Sequence, residues 1–189
     1  GTMWVDGIGW IGSLTDFTGL RGYWFIVDTE LSFSYNLEGL SRTARQAYVE
    51  TLPEGFHYSQ SSNQAFYFVQ DIILPDANIE EGDWIMSYCG QRLSGIRQWQ
   101  SEYMDIPVMG TDGTDKTAGY CSVGDIPSFK LLTKDGETIN LIGEDFPEWK
   151  SLGAYYVGSL MEAPPLPEEY SLSPSYPNPF NPVTTLEFA

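Results

Sequence analysis

The residues of this chain that could do chemistry fall into three groups: aromatic rings flanked by amides, a carboxylate-rich loop, and a solitary histidine. Trp99 stands between Gln98 and Gln100, with Tyr103 close behind, and Trp149 lies beside Pro147 and Lys150. Indole and phenol rings exposed on a flat face or in a cleft can stack on the apolar C–H faces of sugars, while amide and charged side chains bind the hydroxyls. Both groups fall near expected strand ends or loops, where binding residues concentrate. Trp99, Gln98, Gln100, Tyr103 and Trp149 are therefore the candidate ligand-binding set. The competing expectation for both tryptophans is plain core packing, which is also the expectation for Trp24 and Trp84 inside apolar strands.

The loop Thr111-Asp112-Gly113-Thr114-Asp115-Lys116-Thr117 gathers carboxylate, hydroxyl and carbonyl oxygens. A hard cation such as calcium takes about six to eight oxygens, and glycine lets carbonyls turn inward. Asp112 and Asp115 are the candidate ligands, with Asp105 or Asp125 completing the set through space. No closing Glu stands at the EF-hand position, and an ordinary Asp-Gly turn is the alternative. Structural calcium is the one cofactor expected. His57 is the only histidine. A Ser-His-Asp arrangement would have to use it, and no Gly-x-Ser-x-Gly elbow accompanies it. Two cysteines cannot complete a structural zinc site without help, and no phosphate-cradling Gly-x-x-x-x-Gly-Lys motif occurs. A glycosidase needs only two suitably separated carboxylates, a condition that 26 acidic residues make almost empty.

The charge balance narrows the partners. Nine Lys and Arg stand against 26 Asp and Glu, a formal net charge of -17. Nucleic-acid binding needs clustered cations that release counterions, so a phosphate backbone is not an expected partner, and anionic membrane surfaces are disfavoured likewise. No apolar run reaches the roughly 18 residues that would span a bilayer. Cys89 and Cys121 could form one disulfide in an oxidising compartment or remain two buried thiols. A bridge across their separation would contribute about 3 kcal/mol by loop-closure arithmetic. Gly1-Thr2-Met3 reads as leftover residues ahead of an internal fragment, with the natural N-terminus expected upstream.

The elements that must position these groups are short strands. With 15% aromatic residues, only 19% charged and frequent Gly and Pro, the composition points to an all-β protein. Strands are expected at Trp10 to Leu14, Tyr23 to Val27, Leu31 to Asn36, Ala65 to Ile73, Asp83 to Cys89, Arg92 to Trp99, Ile106 to Met109, Phe129 to Thr133, Thr138 to Ile142 and Ala154 to Leu160. Gly90 marks one hairpin, and Asp135-Gly136 between alternating apolar runs marks another. Leu40 to Glu50 is the one candidate helix, with a strand as its alternative. The expected architecture is an antiparallel β-sandwich, with two small β-units as a variant, and few or no helices. Residues 1–162 form this module, 163–175 a proline-rich linker, and 176–189 a separate tail.

The tail carries Tyr176-Pro177-Asn178-Pro179-Phe180-Asn181-Pro182, then Thr184 to Phe188 in strand-like alternation. This run resembles the start of the C-terminal sorting domain of the type IX (Por) secretion system. The resemblance covers about 20 residues, only the beginning of that small domain. It implies a secreted or cell-surface bacterial protein, and it speaks to delivery rather than activity. More loosely, Gly22-Tyr23-Trp24, Gly82-Asp83-Trp84-Ile85, Ile106 to Gly113, Ala118-Gly119-Tyr120 and Gly124 to Pro127 are similar to modules found upstream of such sorting domains. Proteins of that architecture often carry polysaccharide-degrading or adhesive domains.

The leading functional expectation is a non-catalytic carbohydrate-binding module of a multidomain secreted protein. Its partners would be a polysaccharide and the other domains of the same protein. A structural or adhesive spacer with no glycan ligand is the alternative, and a polysaccharide-active enzyme is the second alternative.

Overall fold

A computed structural model describes residues 1–17, 23, 25–30, 32, 34 and 51–164. The proline-rich linker beyond Pro164, the sorting-domain resemblance, Trp24 and the candidate helix Leu40 to Glu50 lie outside them.

The described chain is all-β, with no α-helix. β1 (Met3–Val5) and β2 (Gly9–Ile11) form a hairpin of their own. The remaining strands are β3 (Gln64–Ile73), β4 (Trp84–Cys89), β5 (Arg92–Gln98), β6 (Met104–Met109), β7 (Ser128–Leu132), β8 (Thr138–Ile142) and β9 (Ala154–Glu162). They make one sheet in the order β5-β4-β7-β8-β9-β3-β6. The strand expectations from Ala65 onward hold to within two residues at each boundary. Met3–Val5 was not anticipated. The described positions from Tyr23 to Val27 carry no strand, and Leu31 to Asn36 lies mostly outside the described residues.

Two features depart from the expected antiparallel sandwich. First, β9 pairs with β3 in parallel, while every other neighbour in the sheet is antiparallel. Second, the sheet curls until its two edge strands, β5 and β6, lie against each other, so the shape approaches a barrel. No ladder of hydrogen bonds closes that seam. Side chains bridge it: Arg97 on β5 reaches Asp105 on β6 at 3.0 Å, and from the neighbouring β4 Ser87 Oγ donates to the Pro107 carbonyl at 2.7 Å. Proline belongs here because it has no N–H to give a ladder and is tolerated at sheet edges. Gly95 is required for the same approach, since a Cβ there would sit 1.9 Å from the Pro107 carbonyl oxygen. Closing the edges in this way removes a template for aggregation.

Strand alternation sorts side chains onto two faces. On β4, Ile85 and Cys89 enter the main core, while Met86, Trp84 and Tyr88 face a smaller cluster on the other side. On β5, Leu93 and Ile96 share that second cluster although they are three positions apart, an odd spacing. A bulge explains it: the β4–β5 register shifts at Ser87/Tyr88, leaving Ser94 as the extra residue. The main core is completed by Tyr67, Phe129, Leu131 and Leu160, all essentially inaccessible. Tyr67 and Phe129 rings pack 5.6 Å apart, and Phe146 covers Phe129 at 5.2 Å. Segment 51–59 lays Leu52, Phe56 and Tyr58 over the second cluster, so the outer face of β4 and β5 is covered rather than bare.

Cys89 and Cys121 are disulfide-bonded, with Cα atoms 5.2 Å apart. The bond joins the end of β4 to the loop that follows β6.

Candidate functional site

The disulfide sets two walls side by side. Cys89 is flanked by Tyr88 and by the tight turn Gly90-Gln91 that leads into Arg92. Gly90 has φ +56°, the left-handed value that the first central residue of a type II′ hairpin turn needs. Cys121 is flanked by Tyr120, and a single 3-10 turn at Asp115–Thr117 carries Lys116 next to it. Segment 55–59 forms the third wall, held when the Ser59 backbone N–H donates to the Tyr120 hydroxyl at 2.7 Å.

Between these walls runs a groove of about 300 Å³. Half-buried Phe56, Tyr58 and Tyr88 supply rings, Tyr120, 5% exposed, is too buried to offer a face, and His57, Gln91, Arg92 and Lys116 supply polar heads. Among the described residues no Asp or Glu lines it. Lys130, on β7, lies over the Tyr88 ring at 5.2 Å from its centroid. The Arg92 stem packs against Gly119, whose added Cβ would meet the Arg92 Cβ at 3.9 Å. His57, Arg92 and Lys116 are exposed, and among the described residues none of them is in an ion pair. Burial holds the Tyr88 phenol above its ordinary range, so it stays a neutral hydrogen-bonding group. On the far side of Phe56 lies a second groove of about 370 Å³, floored by Trp84 and Leu132.

The residues nominated from sequence lie elsewhere. Trp99 is 6% exposed and Trp149 2% exposed, and both belong to the main core. Trp149 Nε1–H donates to the Val108 carbonyl at 3.0 Å, which satisfies the buried indole. Its ring lies directly over Gly110, where a Cβ would be 2.1 Å from the indole Cη2. Neither tryptophan can offer a sugar its face in this arrangement. Alternation carries the Trp99 side chain inward, while Gln98 is half-buried and Gln100 exposed. Tyr103 is half-buried at the turn into β6, in a left-handed conformation (φ +59°), with its N–H on the Gln70 carbonyl at 3.0 Å. The five do not form one surface. Among the described residues the most exposed tryptophans are ones the spacing did not single out, Trp4 and Trp10. They are cross-strand partners on β1–β2, 56% and 71% exposed, and meet edge-on at 5.7 Å.

The nominated carboxylates are not gathered either. Asp105 is inaccessible and holds Arg97, the Gly1 amine and the Ser13 N–H. The alternation that sends Met104, Ile106 and Val108 into the core turns it away from them. Asp112 Oδ1 accepts from Thr114 Oγ1 at 2.7 Å, Thr117 Oγ1 at 2.5 Å and the Thr114 N–H at 3.0 Å. Asp115 is exposed. Asp125 accepts from the Ser122 N–H at 2.8 Å. Among the described residues no three His, Cys, Asp or Glu side chains are placed to hold a metal.

The hydroxyl bonds from Thr117 and Thr114 hold the Asp112 carboxyl down to about 2, against an ordinary value of 3.8. A depressed carboxylate favours the folded loop above its unfolded pKa, and that contribution is lost as pH falls from near 4 through about 2. Carboxyl-carbon NMR is expected to place the Asp112 midpoint near 2, with Thr114 amide protection lost over the same window. A midpoint near 4 would show that these bonds do not persist in solution.

Groove residues come from three separated stretches of sequence, so no local motif announces them. One signal was available: cations are scarce in this chain, and Arg92 sits at a hairpin turn next to a cysteine. Its meeting with Lys116 depends on the Cys89–Cys121 bond, which spacing alone leaves open.

Comparison with family models, curated proteins and solved structures finds no match to this chain.

Proposed function

We propose that this chain is a non-catalytic polysaccharide-binding module of a secreted or surface-attached multidomain protein, and that its binding surface is the groove at the Cys89–Cys121 end of the sheet. The observation that carries this reading is the lining itself. Aromatic side chains and hydrogen-bonding heads meet in one open trough, the combination that saccharide recognition needs. A second groove shares Phe56 with this one, and two adjacent troughs suit a polymer better than a small solute. The disulfide supports export, because such bonds persist in oxidising compartments. So does the sorting-domain resemblance of Tyr176 to Pro182. Among the described residues no helix is long and apolar enough to cross a membrane.

The test is retention on insoluble cellulose, xylan, mannan, chitin and alginate gels, with calcium and with chelator, while released sugar is assayed. Retention lost in Tyr88→Ala supports the reading. Release of sugar would make the chain an enzyme instead. The second reading, a spacer with no glycan ligand, is favoured by the burial of Trp99 and Trp149. It predicts no retention on any gel by folded protein.

A further inference from the structure

We infer that the groove selects acidic saccharides, meaning pyranose polymers that carry carboxylate or sulfate groups. The inference rests on the polysaccharide-binding reading and adds the ligand's charge to it. Cations are scarce in this chain. The chain has nine Lys and Arg against 26 Asp and Glu. Of the six Lys and Arg among the described residues, Arg97 and Lys134 are ion-paired, with Asp105 and Glu80, and Arg92, Lys116, Lys130 and Lys150 are not. Arg92 and Lys116 line one groove, His57 joins them, and among the described residues no carboxylate lines it.

The fold holds this arrangement in place. Cys89–Cys121 ties the Arg92 wall to the Lys116 wall, and the Arg92 stem rests on Gly119. Lys130 sits over the Tyr88 ring and adds a further cation at the edge. A guanidinium and an ammonium on facing walls fit a carboxylate or sulfate through charge-assisted hydrogen bonds. The neighbouring rings fit the apolar face of the pyranose that carries it. Asp115 beside Lys116 and Glu54 beside Gly55 oppose an acidic polymer, but Arg92, Lys116 and Lys130 outnumber them, and at physiological ionic strength carboxylates beyond about 8 Å are largely screened. The rings favour a saccharide over an acidic peptide, which offers no pyranose face.

The experiment is calorimetric titration of the full chain with galacturonan oligomers, a sulfated galactan oligomer, cello- and xylo-oligomers, and poly-glutamate. Chelator is present throughout, so that calcium cannot bridge protein and polymer. The expected result is binding of the acidic saccharides, weakened about three- to fivefold by Arg92→Ala or by Lys116→Ala, roughly the loss of one solvent-exposed ion pair. The double reversal R92E/K116E is expected to abolish it, and Lys150→Ala, outside the groove, to leave it unchanged. Both groove cations are exposed, and near-UV dichroism verifies that the variants fold. Equal binding of neutral and acidic saccharides would overturn charge selection while leaving polysaccharide binding standing. Binding of poly-glutamate as tight as galacturonan would overturn the saccharide assignment. No binding of any saccharide by folded protein would overturn both.

Discussion

Replacing Trp149 with alanine is expected to cost about 3–5 kcal/mol of folding stability, the range for truncating a large buried aromatic. The reason is its environment. The ring is 2% exposed, donates to the Val108 carbonyl, and fills the space over Gly110. Truncation removes the packing, opens a cavity and strips the carbonyl of its donor. The backbone link from the Trp149 N–H to the Asp125 carbonyl, at 2.7 Å, should survive. Urea denaturation followed by near-UV dichroism measures the change. Trp10→Ala, at a ring that is 71% exposed, is the comparison and should fall within about 0.5 kcal/mol of the parent. A loss below about 1 kcal/mol for Trp149→Ala would mean that the indole is not a core residue, and would return it to the binding candidates.

The second large effect belongs to the disulfide. Cys89 and Cys121 are separated by 32 residues. Removing the bond by Cys89→Ser with Cys121→Ser is expected to cost about 2–5 kcal/mol, chiefly through the greater freedom of the unfolded chain. Reductant should lower the parent's urea midpoint and leave the double variant's unchanged. The same substitution loosens the groove, because the bond joins the Tyr88–Arg92 wall to the Lys116–Tyr120 wall. Ligand affinity should therefore fall even under conditions where the variant is fully folded. A urea midpoint in reductant equal to that without it would show that the bond does not constrain the fold.

These two effects set core against surface in a chain rich in aromatic residues. Part of its aromatic content goes to closing a small curled sheet around Tyr67, Phe129, Trp99 and Trp149. Another part lines the trough through Phe56, Tyr58, Tyr88 and Tyr120. The clasp at the β5–β6 seam belongs to the first task. It brings two edges together through Gly95, Pro107 and Ser87 without ladder hydrogen bonds.

The strands from Ala65 onward were legible in the sequence, because strand signals are local, whereas the N-terminal third was not. Period-two alternation and β-branched or aromatic runs placed β3 to β9 closely, and turn chemistry placed the hairpins at Gly90-Gln91 and Asp135-Gly136. At the second hairpin Gly136 has φ +90°, and the Thr133 N–H meets the Glu137 carbonyl at 2.8 Å. The acidity, and the partners it disfavours, also came from sequence. Tertiary structure alone decided how the strands are ordered and what each aromatic faces. Pairing of β3 with β9 joins residues far apart in the chain, and alternation is the same whether the neighbour is parallel or antiparallel. Trp149 follows a loop, where burial depends on what arrives from elsewhere, here Gly110 and Val108. Asp105 alternates away from the core and is used up by Arg97, while Asp112 is satisfied by threonine hydroxyls of its own loop. The groove was the least legible feature, because it exists only where a disulfide brings Arg92 and Lys116 to one face. Spacing records which residues are neighbours along the chain, whereas a binding surface is built from neighbours in space.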